Sequence, residues 1–109
     1  MAVYVVQEFG GRDFMPAAKH GTLVAMLPSD MQVYLSATTA VRKLTRHLKD
    51  FSDDDFLLLS GDPVLIGLAV AIATANNRGR AKLLKWDKRA GQYHPVDVDI
   101  YQKGETNAP

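Results

Sequence analysis

Phe56-Leu57-Leu58-Leu59 runs without a polar residue into Ser60-Gly61-Asp62-Pro63, and this junction constrains the chain more than any other stretch. Four consecutive apolar residues of strand length suit a strand covered on both faces, as the strands of parallel sheets are. Ser60-Gly61 supplies the turn. Aspartate is a preferred helix N-cap, and proline at the first helical position gives up no useful donor. A helix is therefore expected from Val64 to about Asn77, closing at Gly79, the usual residue for a left-handed C-cap. A strand delivered straight into a helix is half of a strand–helix–strand unit, which points to an α/β layered fold.

The flanking chain supplies the other parts. Val3-Tyr4-Val5-Val6 is β-branched and aromatic, and reads as a strand. Gly10-Gly11 opens a loop through about His20, and Thr22 to Leu27 forms a second strand ended by Pro28. Val41, Leu44, Leu48 and Phe51 recur at helical spacing, with Ser36, Thr38 and Thr39 as candidate N-caps. Leu83 to Trp86 is a fourth strand. Tyr93 to Ile100 alternates, with Val96, Val98 and Ile100 on one side and Asp97 and Asp99 on the other, and Pro95 places it at an edge or at a strand start. The expected order is β-β-α-β-α-β-β, with parallel central strands, right-handed crossovers and a C-terminal β-hairpin. Residues 1–101 are expected to form one domain, followed by a polar tail over 102–109. The terminal strands are expected at the sheet edges. Two helices are few for a sheet apolar on both faces. Either they lie on opposite faces, or the first loop or another subunit closes one face.

Composition removes several function classes. There is no cysteine, which excludes disulfides, thiolate catalysis and cysteine-ligated metal centres. Thirteen Lys plus Arg against 12 Asp plus Glu leave a net charge of +1. The longest apolar run, Val64 to Ala75, falls short of the roughly 20 residues a membrane span needs. No signal peptide is visible at Met1-Ala2-Val3-Tyr4, so a cytoplasmic location is expected.

Three surfaces remain as candidates. Ser60, Gly61 and Asp62 lie where anions and nucleotides bind in open α/β sheets, at a strand end leading into a helix. The turn lacks the glycine spacing of a phosphate-binding loop, and Asp62 puts a carboxylate where a phosphate would sit, so a capped helix start is the favoured reading. Arg42, Arg46, Arg78, Arg80, Lys82 and Lys85 are candidate nucleic-acid contacts, yet interleaved acids and an isoelectric point near 8.0 favour solvated faces. The Val64–Ala75 helix is apolar nearly all round, so Gly67, Val70, Ala71 and Thr74 are candidates for a protein interface. His20, His47 and His94 have no metal-ligand spacing, and no cofactor is implied. Trp86 and Tyr93 flank the hairpin turn, where cross-strand packing accounts for them. Asp97 and Asp99 make a weak cation pair, with nearby basic residues as the favoured partners. No catalytic constellation stands out, which leans the reading away from an enzyme.

Leu57-Leu58-Leu59-Ser60-Gly61-Asp62-Pro63, then Ile66-Gly67, Ala69, Ala71-Ile72-Ala73, Asn77-Arg78-Gly79-Arg80 and Lys82-Leu83-Leu84-Lys85-Trp86-Asp87, resembles small proteins encoded by tailed double-stranded DNA bacteriophages. The likeness is clearest over residues 56–100. It implies expression inside an infected bacterium and an accessory or host-interaction role. It brings no ligand and no functional residues. The sequence therefore leads to the expectation of a non-enzymatic protein acting through contacts with a host or phage protein, and forming a homodimer. The Gly67–Ala75 helix and the free edge of the terminal hairpin are the expected surfaces.

Overall fold

The structure, a computed structural model, describes residues 1–34 and 37–101. In chain order it contains β1 (Ala2–Gln7), a 3-10 helix (Met15–His20), β2 (Thr22–Leu27), α1 (Ala37–Leu48), β3 (Phe56–Leu58), α2 (Pro63–Asn76), β4 (Arg80–Asp87) and β5 (Gln92–Asp99). The five strands form one sheet in the order β2-β1-β3-β4-β5. β2, β1, β3 and β4 are mutually parallel, and β5 returns antiparallel as a hairpin. The expected α/β architecture and C-terminal hairpin are present.

The strand order corrects one expectation. β1 lies inside the sheet, between β2 and β3, and β2 takes the edge. The burial of the two strands carries the difference: Val3, Val5 and Val6 are buried, whereas Thr22 and Ala25 are exposed. β5 is at the other edge, as its proline suggests.

The same order explains how two helices cover the sheet. The connection from β1 to β2 runs in one direction across it, and those from β2 to β3 and β3 to β4 run in the other. Crossovers of one hand must then put the first connection on the face opposite the other two. Accordingly α1 and α2 share a face, over Val6, Met26, Leu57 and Ala81, with Leu44, Leu48, Leu65, Ala69 and Ala73 completing that core. The opposite face, with Val3, Val5, Phe56, Leu58 and Leu84, is closed by Phe14 and Ala17 of the first loop. Full burial of each leucine contributes about 1.5–3 kcal/mol, so β3 matters out of proportion to its three residues.

Several boundaries differ from the sequence reading. β4 begins at Arg80 rather than Leu83, because it pairs with all of β5. On α1, Ala40, Leu44 and Leu48 are buried while Val41 is turned to solvent, and Phe51 lies beyond the helix end yet is buried. Ile100 follows β5 and is exposed, as is Val96, so the apolar side of that strand is only partly covered. The candidate cap Ser36 and the tail 102–109 lie outside the described residues.

Candidate functional site

In a sheet ordered 2-1-3, chain connections diverge from β1 and β3, and the crevice outside their carboxyl ends is where such folds take ligands. Here those ends are Gln7 and the Ser60-Gly61-Asp62 turn. The Gln7 side chain fills the space between them. Its Nε2 donates to the carbonyls of Pro28 (3.1 Å) and Met31 (3.2 Å), and its Oε1 accepts from the Asp62 N–H (2.9 Å). The buried Ser60 hydroxyl donates to the Gln7 carbonyl at 2.7 Å. Gly61 has φ +101°, and a Cβ there would collide with the Gln7 side chain. Asp62 caps α2, its carboxylate accepting from the Val64 N–H at 2.7 Å. The Ser60 hydroxyl and the Asp62 N–H of the candidate anion turn are thus both engaged within the protein. Sequence reasoning missed Gln7. Its signal was one amide closing the apolar run Val3–Val6.

The candidate nucleic-acid residues do not converge. Arg42 and Arg46 lie one turn apart on α1. Arg80 and Lys82 lie on the 3-10-helix side of β4 and Lys85 on its other side, while Arg78 sits in the turn after α2 with φ +59°. Arg80 is paired with Asp53 at 2.8 Å, and the hydrogen bonds of Arg80 and Asn77 hold the Asp53 carboxyl below its ordinary pKa. Asp99 lies opposite Arg80 and Asp97 opposite Lys82 in the strand register, but neither pair closes to an ion pair, and Arg80 binds Asp53 instead. Lys82 also stands over the Phe56 ring, 5.4 Å from its centroid.

The histidines are separate. His20 packs on Phe56 with a ring-centroid distance of 5.2 Å, and its buried Nε2 has no hydrogen-bond partner among the described residues. Burial, and then the neighbouring charge of Lys19, push its pKa below the ordinary value. His94 meets Asp87 at 2.7 Å in the hairpin, and His47 is on α1. Among the described residues no group of three or more His, Cys, Asp or Glu could hold a metal ion, and no helix is long and apolar enough to cross a membrane. Trp86 and Tyr93 pack edge to face at 4.9 Å, as cross-strand neighbours.

The remaining candidate is α2. No charged residue occurs from Pro63 to Asn76. Leu65, Ala69 and Ala73 are buried, but Val64, Gly67, Ala71 and Ala75 make an exposed row along the helix. Of the four interface candidates, Gly67 and Ala71 lie on this row and Val70 is half-buried. Thr74 is corrected: it is buried, its hydroxyl donating to the carbonyls of Val70 (2.7 Å) and Ala71 (3.1 Å). That back-bonding is how a helix accommodates an interior threonine.

Residues 1–100 match the family described as Phage Pam3 gp32-like protein, and the chain belongs to that family. Comparison with curated proteins and with solved structures finds no match.

Proposed function

With membership of a phage protein family as the premise, we propose that the chain is a non-enzymatic accessory protein that binds another protein through the outer face of α2. One observation carries this reading. A 14-residue helix without a single charge keeps Val64, Gly67, Ala71 and Ala75 in contact with water. A surface helix normally turns a charged face outward, and an apolar row left open marks a protein contact. The partner is a host or phage protein, met in the cytoplasm of the infected bacterium. The occupied crevice at Gln7 supports a contact role over small-molecule chemistry, since the usual ligand position of such a sheet is already filled by a side chain.

The test compares tagged wild type with Gly67→Glu/Ala71→Glu in infected cells, followed by titration of the purified captured protein. None of the described residues lies within 4 Å of a Cβ placed at Gly67, so that substitution adds charge without a clash. A partner that binds the wild type and loses at least tenfold in affinity for the double variant is the expected result. Equal binding to both proteins would remove α2 as the contact surface.

A further inference from the structure

The two edges of the sheet are built differently. On β4, Leu84 directs its carbonyl to β3, where it accepts from the Leu59 N–H. Its partner Pro95 is therefore in a non-hydrogen-bonded pair, and Pro95, Asp97 and Asp99 turn their backbones to the free edge. That edge lacks one donor at the proline and carries two carboxylates, the devices by which sheets refuse another strand. It argues against the hairpin as a docking edge.

β2 has neither device. Thr22 donates its N–H to Met1, so alternation turns the N–H and C=O groups of Leu23 and Ala25 outward, away from β1. The strand reads Thr-Leu-Val-Ala-Met-Leu, with no charge and no proline. Beside it lies an apolar shoulder, a groove lined by Met1, Met15, Ala18, Gly21, Thr22 and Leu23, in which Met1 is 76% and Met15 63% exposed.

We propose that β2 pairs antiparallel with β2 of a second copy, joining two five-stranded sheets into one of ten strands. A two-fold axis at Val24 sets Leu23 opposite the copy's Ala25, and both positions have outward-facing donors and acceptors. Every cross-strand pair is then uncharged, so no like charges meet. Lys19, which precedes the strand, donates to Gln92 of β5 at 3.5 Å and so brings no positive charge to this seam. This contact is separate from the α2 surface proposed above, and either stands if the other fails.

The experiment combines sedimentation equilibrium of the full chain up to about 1 mM with amide hydrogen exchange. The wild type is expected to reach about 24 kDa, twice the chain mass of 12.0 kDa. The Leu23 and Ala25 amides should become protected as concentration rises. Ala25→Lys, at an exposed position, should stay at the chain mass with an unchanged circular dichroism spectrum and freely exchanging edge amides. A chain mass at every concentration overturns the proposal. So does a dimer whose Leu23 and Ala25 amides exchange freely. A dimer abolished by Gly67→Glu/Ala71→Glu but not by Ala25→Lys overturns it as well, and assigns self-association to α2.

Discussion

The Gln7 side chain and the Asp62 backbone are joined across the centre of the sheet, Oε1 accepting the Asp62 N–H at 2.9 Å. The two residues belong to neighbouring interior strands' ends, so the bond ties the exit of β1 to the start of α2. The Gln7 Nε2, held by Pro28 and Met31, extends the tie to the chain leaving β2. One amide therefore fixes three connections, and a buried polar group of this kind is costly to lose.

Gln7→Ala should destabilise the protein by roughly 2–4 kcal/mol, through the unpaired Asp62 N–H, the donor lost to the Met31 and Pro28 carbonyls (the latter keeping only the Met31 N–H) and the space left behind. Gln7→Glu gives a sharper result. At neutral pH its carboxylate would face the Pro28 and Met31 carbonyls with no proton to donate. Its folded-state pKa would lie above the unfolded value, so stability should fall as pH rises from about 4.3. Chemical denaturation at pH 4.5 and pH 7 checks this: a deficit no larger at pH 7 would contradict the role given to Nε2.

Asp62→Ala should cost about 1 kcal/mol by removing the cap on Val64, and Asp62→Asn less. If the turn instead bound anions against the Asp62 charge, Asp62→Asn would gain a thermal shift with millimolar phosphate or nucleotides. No such shift is expected, because the neighbouring donors are taken.

His20 makes stability depend on pH. Its pKa is lowered in the folded state, first by burial and then by Lys19. The unfolded chain then binds the extra proton more readily, so stability is full above about 6.5 and declines as pH falls through that value toward the folded pKa. Melting temperatures between pH 8 and pH 5 should show this slope in the wild type and a smaller one in His20→Leu. Equal slopes would place the titration elsewhere.

Gly67→Ala should stabilise the fold by about 0.5–1 kcal/mol, since the position is helical, exposed and open around its would-be Cβ. A reduced melting temperature would mean that the outer face of α2 is not free in solution.

What the sequence disclosed and what it withheld follow one division. The Asp62-Pro63 helix start, the interior character of Phe56–Leu58 and the hairpin strand with Pro95 rest on local chemistry, and they are where that chemistry puts them. Strand order depends on pairing between distant residues, for which Val3–Val6 gives only a general sign, an uninterrupted apolar run. Val41 obeyed the helical period yet faces solvent, because α1 is covered along the narrower line of Ala40, Leu44 and Leu48. Gln7 was unreadable for the same reason as strand order. Its partners Pro28, Met31 and Asp62 are 21 to 55 residues away.

The interior place of β1 also sets a timetable for folding. Ala2 takes its acceptor from Asp55, 53 residues further on, and Val3 has Phe56 as neighbour. During synthesis at about 5–20 residues per second, β1 must wait roughly 3–10 seconds with one side unpaired. β2 emerges earlier and can join the other side, but two parallel strands alone make no stable unit. For that interval the apolar Val3–Val6 segment is open to the ribosome surface and to chaperones. Slow codons between β2 and β3 should lengthen this exposure, and a lower soluble yield is the expected consequence.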